Sequence, residues 1–432
     1  MSDASTRRRP SGPPLPAGVH ALSHLDPTAP LDDLEPLRDV IGSARVVAIG
    51  ENAHFITEFA RLRHRVLRFL VERCGFTVLA YESGFSEGFA LDRWVRGELP
   101  EDELPELAEQ CIPSGLARPR EVREMLGWVR AQAATATSPV RFAGVDVPSA
   151  GGSLLPSLQP LGDYLAGVDP AAGQLLAPAL EIAAGTAGTT QAQAAPRYLQ
   201  LDPARQDALT ALLSRLADRF DALAPTYVDG GGRAEYDVAR WRLEGARAAD
   251  HQLRAIAGAY AGTALPAAAT SRERYMAATV RWWLDRLGPG ARIALMAHNA
   301  HIQRTPVVYG GEVQVLPMGL HLDLALGGDY VAVGLTSGGG RTAGLHPDAG
   351  AGPYGFRVED AALEPPRPGS VEAAFRDAGV GFGLAAFGAR SGGAAGPDRI
   401  RMDTDYLATP VSEAFDAVVH VPESTVASDL GF

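Results

Sequence analysis

The 432-residue chain is 46% hydrophobic and 21% charged, a globular composition that can fill one large core or two medium ones. Its formal net charge of -12 argues against nucleic acid or an anionic membrane as partner, because both select basic surfaces. All 39 residues of the Lys and Arg count are arginines, which excludes a lysine Schiff base, a pyridoxal-phosphate lysine and a P-loop lysine. Cys74 and Cys111 are too few for a cysteine-rich zinc site or a disulfide framework. A single bridge between them stays open, and a reducing cytoplasm is the simplest compartment.

Met1 to Pro16 carries Arg7-Arg8-Arg9 with no apolar run behind it. It is read as a disordered tail and not as a signal peptide. Arg45 to Ile49 predicts a first strand, stopped by Gly50. Thr57 to Arg73 predicts a helix with Phe59, Leu62, Val66 and Phe69 on one face and Gly75 at its stop. Phe76 to Tyr81 is the next strand, Ser86 to Val95 a helix, and Val140 to Val145 a third strand closed by Asp146 and Pro148. Ser153 to Gly262 reads as helical, most clearly over Arg205 to Leu223 and Arg233 to Tyr260. Ser271 to Leu287 predicts a helix with Ser271 as N-cap and Gly288-Pro289-Gly290 as its break. Arg292 to Ala297 is a buried strand running into His298-Asn299-Ala300-His301. Val313 to Leu316, Tyr330 to Leu335, Phe382 to Phe387 and Asp416 to Val421 predict further strands. Ser337 to Tyr354 and Gly388 to Pro397 are read as glycine- and alanine-rich loops. No apolar run reaches transmembrane length.

Strands alternating with helices predict an α/β fold, a mostly parallel central sheet flanked by helices. The helical insertion is expected to form a lid or substrate cap. Residues 17–150 and 266–432 supply the two parts of the α/β core, and 151–265 the cap.

In such sheets ligands bind beyond the carboxyl ends of the strands. Here Glu51 and His54 follow the first strand, Glu82 the second, Asp146 the third, and His298 with His301 the strand ending at Ala297. If those strands are parallel neighbours, the side chains share one cleft. A neutral histidine beside a carboxylate can take a proton from water near physiological pH. A second histidine can donate to the developing oxyanion. Arg61 or Arg63 could reach back to hold a carboxylate charged, or bind a carboxylate product. Asp146, two residues before Pro148, also fits a plain turn or helix cap. His20, His24, His64, His251, His346 and His420 have no such setting and are read as surface residues.

Two other patterns compete. Gly84-Phe85-Ser86-Glu87-Gly88 fits the G-x-S-x-G elbow of serine hydrolases, with Asp146 and His298 following in matching order. Against it, Glu82 and Ser83 separate the strand from the elbow, and the Glu51–His54 pair goes unused. His54, His298 and His301 with Glu51 or Glu82 also have ligand types suited to zinc or manganese. No His-Glu-x-x-His helix is present, and the expectation is a site with no metal.

Gly50-Glu51-Asn52-Ala53-His54-Phe55-Ile56-Thr57-Glu58-Phe59 with Arg61-Leu62-Arg63 resembles the signature of the erythromycin esterase family. The likeness continues at Tyr81-Glu82-Ser83-Gly84-Phe85, Gly144-Val145-Asp146, the helix carrying Arg272, Met276 and Ala277, Ala297-His298-Asn299-Ala300-His301 and Met318-Gly319. The resemblance implies hydrolysis of a macrocyclic lactone ester without metal or cofactor. It implies His54 as the base, Glu51 and Glu82 as supporting acids, His298 and His301 as the later histidine pair and Arg63 as the site arginine. The commoner family form has Gly-Thr-His-Gly around the histidine, whereas Ala53 and Phe55 flank it here, and Met296 stands where many relatives carry Trp. Phe55 and Met296 are assigned, with Asp146 and Arg272, to substrate binding. The expected partner is a small, macrolide-like natural product. A biosynthetic cyclase or lyase using the same base, and a non-catalytic drug-binding protein, are the alternative functions.

Overall fold

The computed structural model describes residues 15, 18–309, 313–348, 352–388 and 396–431. Apart from Leu15, the N-terminal tail of residues 1–16 lies outside them. So does most of the second glycine-rich loop. The strands are β1 (Gly18–Ala21), β2 (Val46–Ile49), β3 (Val78–Gly84), β4 (Arg141–Asp146), β5 (Ile293–Met296), β6 (Val307–Tyr309), β7 (Val313–Val315), β8 (Tyr330–Ser337), β9 (Arg341–Pro347), β10 (Phe356–Ala362), β11 (Gly383–Ala386), β12 (Arg399–Met402), β13 (Asp405–Ala408) and β14 (Ala417–Val421). Eight of them form one sheet in the order β1-β11-β14-β8-β2-β5-β3-β4. From β14 to β4 all pairs are parallel, and β11 and β1 close one edge antiparallel.

The apolar runs of β2 and β5 are buried throughout because helices cover both faces of the sheet. Side chains alternate between two cores, as the period of two demands. Val47 and Ile49 pack with Phe59, Leu62 and Val66 of the helix Thr57–Cys74. Val46 and Ala48 join the other core, which runs without a break into Leu158, Tyr198 and Leu253 of the helical insertion. That insertion runs from Leu155–Val168 to Arg233–Tyr260. The helix Thr57–Cys74 stops at Gly75, whose φ of 72° lets its N–H turn back onto the Leu70 carbonyl. No helix among the described residues is long and apolar enough to cross a membrane.

Several expectations need correction. Ser271 does not cap its helix, which starts at Thr270 with Ala269 at the cap. The stretch read as a loop from Ser337 contains β9, paired antiparallel with β10 in a separate hairpin. β7 lies off the main sheet, paired with β6. β12 and β13 form another hairpin, which the sequence reading missed. His64 and His420 are buried rather than superficial, the first tilted against Trp128 and the second stacked on Phe375. Cys74 and Cys111 are both free.

Candidate active site

β2, β5, β3 and β4 are consecutive in the sheet, so the four polar strand ends are neighbours. Gly50 permits a close approach at the end of β2. A Cβ there would lie 1.9 Å from Asn299 Oδ1. The Asn299 N–H donates to the Glu51 carbonyl (2.8 Å), and its side-chain amide spans to both N–H and C=O of Leu335 (3.2 and 2.8 Å). Asn299 thus ties the loops after β2 and β5 to β8.

Glu51 is 7% exposed and works in two directions. Its Oε1 accepts from His54 Nδ1 at 2.8 Å, and its Oε2 lies 2.8 Å from Arg63 Nη1. Burial would push its carboxyl up, but Arg63 and then His54 hold it down at about 2. An ionised carboxylate only accepts, so neutral His54 carries its proton on Nδ1 and keeps Nε2 as the basic nitrogen. Burial pulls the His54 pKa down, yet the Glu51 hydrogen bond and the charges of Glu51, Glu82 and Asp403 leave it raised above 6.5. Arg63 does not enter the cleft itself. It sits behind Glu51, over the Tyr81 ring at 5.3 Å. Arg61 turns to Glu121 (3.4 Å).

The His298 ring lies 5.2 Å from that of His54. His298 is the N-cap of the short helix Asn299–Ile302, its Nδ1 accepting from the Ala300 N–H at 3.2 Å. With Nδ1 engaged as acceptor, neutral His298 bears its proton on Nε2. Burial, with the charges of His54 and His301, lowers its pKa to about 4, so at neutral pH it is an uncharged donor. Its backbone N–H donates to Glu82 Oε2 (2.8 Å). The other oxygen of Glu82 lies 3.3 Å from His301 Nε2. His301 Nδ1 meets Glu273 at 2.8 Å. Burial opposes its charge, but Glu273 and Glu82 raise it to about 9, so it is an imidazolium. Asp146 receives Arg272 through both of its oxygens (2.9 and 2.5 Å).

Part of this network lines a cleft of about 430 Å³. His54, Glu82, Asp146, Arg272, His298 and His301 form its polar part, and Phe55, Leu116, Tyr309, Leu345, Phe356 and Met402 supply apolar surface. Of the residues expected there, Met296 is absent: it is fully buried in the core beneath Thr57–Cys74. Ser86 is also apart, inside the helix Phe85–Val95 and hydrogen-bonded to Ser157 (2.8 Å). Glu273 and Asp403 were missed. Glu273 was detectable only as the neighbour of Arg272 on a helix. Asp403, at the turn between β12 and β13, carried no signal. Glu51, His54 and Glu82 bring one ligand atom each within 4.8 Å of one another, a spacing open to a divalent cation. The guanidinium of Arg63 on the same carboxylate would repel it.

The family model described as erythromycin esterase matches residues 71–424. An Escherichia coli protein named erythromycin esterase type II is 34% identical over 407 residues, 94% of this chain and 95% of its own. A type I erythromycin esterase of Escherichia coli is 28% identical, over 90% of this chain and 93% of its own. The solved structure of a mutant of the erythromycin esterase EreC in its open conformation matches at a TM-score of 0.86 and 26% identity, over 95% of this chain and 99% of that one. A Bacillus cereus protein at 20% identity and a TM-score of 0.72, covering 95% of this chain and 96% of its own, shares the fold. With the family model and the type II relative both spanning most of its length, this chain belongs to the erythromycin esterase family of ester hydrolases.

Proposed function

We propose that this enzyme opens a macrocyclic lactone by attack of a water that His54 deprotonates, with no metal in the reaction. One observation carries the reading: Glu51 occupies His54 Nδ1 at 2.8 Å while the His298 ring stands 5.2 Å away. This arrangement pairs a basic nitrogen with a neutral N–H donor. His54 Nε2 takes the water proton as the water oxygen bonds to the acyl carbon. His298 Nε2–H donates to the oxyanion so formed. The C–O bond to the leaving alkoxide then breaks, and the imidazolium of His54 returns its proton to that oxygen. Glu51 orients the ring and stabilises its cationic form, and Arg63 keeps Glu51 ionised. His301, charged between Glu82 and Glu273, holds Glu82 on the His298 N–H. The product is a hydroxy acid one water heavier than the lactone.

The substrate assignment draws on the names of the two Escherichia coli relatives and on the apolar surface beside the polar groups. The helical insertion serves as the substrate cap, since Thr190, Gln191 and Ala192 line the cleft.

The test incubates a 14-membered macrolactone with the enzyme, with His54→Ala and with Ser86→Ala, each with and without EDTA, and follows mass. The expected result is a water adduct lost with His54→Ala, kept with Ser86→Ala and indifferent to EDTA. Loss with EDTA would move the chemistry to a cation at Glu51, His54 and Glu82. A product of unchanged mass would point to cyclisation or elimination.

A further inference from the structure

The proposed reaction gives a partner to four carboxylates around the cleft. Glu51 holds His54 and Arg63, Glu82 and Glu273 hold His301, and Asp146 holds Arg272. Asp403 lines the same cleft, yet its carboxylate has no ion-pair or hydrogen-bond partner among the described residues. Its charged neighbours are His54, which attracts it, and Glu51, which repels it.

The β12–β13 hairpin fixes its position. Met402 pairs with Asp405 across the hairpin, so Asp403 is the first of two loop residues. Two-residue hairpin loops place that residue at positive φ, and the φ of Asp403 is 50°. Asp tolerates this region better than most residues with a side chain. Its N–H donates to the carbonyl of Asn52 at 2.9 Å, within the turn from Glu51 to His54. The tip of the hairpin is thereby fastened to the segment that carries the base.

Asp403 is half-buried in the cleft wall, and a carboxylate partly withdrawn from water without a counter-ion is disfavoured there. Burial pushes the Asp403 carboxyl up to about 6, with His54 pulling against it and Glu51 adding to it. A cation brought by the substrate would neutralise that charge. Met402, next to it, and Phe356 and Leu345 on the β9–β10 hairpin offer the hydrocarbon of the same molecule an apolar wall.

We propose that Asp403 is a specificity residue of this reaction, its carboxylate receiving a protonated amine carried by the lactone. The inference rests on the esterase reading above and adds a specificity determinant to it.

The test is titration calorimetry on the His54→Asn protein with two probes, a 14-membered macrolactone carrying a tertiary amine and its neutral des-amino counterpart. The amine lactone is expected to bind about ten-fold more tightly. Asp403→Asn in the same background brings that ratio close to one. Asn keeps the tolerance for positive φ, and Asp403→Gly, which suits the same backbone, is the second variant if Asn impairs folding. Equal affinity of the two lactones, a ratio that survives both substitutions, or no binding of the amine lactone overturns the proposal. Opening of both lactones by the unaltered enzyme is followed separately by mass. An amine preference in binding without any ring opening would sink the esterase reaction while leaving the recognition in place.

Discussion

Glu51→Gln keeps the size of the side chain and removes its charge. Two cations lose their counter-ion together, because His54 Nδ1 and Arg63 Nη1 each lie 2.8 Å from a Glu51 oxygen. At about 4 Å and an effective dielectric of about 20, an opposite unit charge is worth ~4 kcal/mol. At ~1.4 kcal/mol per pH unit, the ceiling on the His54 shift is about 3 units downward. His54 borders the open cleft, so a shift of about 1–2 units is expected after screening by solvent. The sign follows from the cause. Burial lowers the His54 pKa, and Glu51 is the main group carrying it above 6.5. The basic form therefore accumulates only above that value, and kcat/KM climbs with pH through it. In Glu51→Gln the climb moves to lower pH. The plateau drops, because the imidazolium forming in the transition state loses its partner, by about 10²–10⁴-fold. Ring opening measured by mass over roughly pH 5 to 9 reads both effects. Arg63, left buried without an anion, should cost about 3–5 kcal/mol in urea unfolding. A folded variant whose acid limb stays in place or moves to higher pH would refute His54 as the base.

Two further substitutions probe the donor and the scaffold. His298→Asn retains a side-chain acceptor for the Ala300 N–H but removes the imidazole N–H, so kcat should fall about 10²–10³-fold with KM little changed. A loss confined to KM would make His298 a binding residue instead. Gly88→Ala places a Cβ 2.5 Å from the backbone nitrogen of Gly144, where the helix Phe85–Val95 crosses β4. It should lower stability by about 1–3 kcal/mol, and an unchanged urea midpoint would contradict that close packing.

The strands of the site were legible because each is a short apolar run ending in an ionisable residue. Their convergence followed from the rule for parallel sheets, once neighbourhood was assumed. The order itself was not legible. β5 inserts between β2 and β3 from more than two hundred residues away, and nothing in its four residues encodes that. Met296 was misjudged because period-two alternation decides its face. Leu295 and Ala297 point to the core shared with the insertion, and Met296 points to the helix Thr57–Cys74. β9 was hidden by Gly338, Gly339, Gly340 and Gly344, although only one other strand, β10, had to be found to pair it. Arg63 and Arg65 are 4% and 0% exposed, against the habit of arginine. Their anions, Glu51 and Asp33, together with the Tyr81 ring under Arg63 and the His24 and Pro30 carbonyls that accept from Arg65, explain the burial, and such long-range partners leave no local pattern.

Phe55, the residue after the base, offers a test of how the site turn is held. Its φ of 61° is in the left-handed region, which costs a residue with a Cβ about 1–2 kcal/mol. Its ring is 4% exposed and packs with Tyr354, Phe356 and Leu430. Its carbonyl accepts from the Ala427 N–H at 2.8 Å, and Ile56 bridges to Val426. Phe55→Ala loses the ring, about 3–5 kcal/mol, and keeps the strain. Phe55→Gly loses the same ring and releases the strain, offset by about 0.5–1 kcal/mol of glycine chain entropy. The glycine variant should therefore be the more stable of the two by about 0.5–1 kcal/mol, reversing the order expected in ordinary buried backbone. Calorimetric melting of both variants decides it, and Ala above Gly would mean that the turn is unstrained. Activity should run the other way. Glycine frees the backbone that aims His54 at the cleft, so its kcat should fall below that of the alanine variant. A glycine variant both more stable and at least as active would separate the strain at Phe55 from the placement of the base.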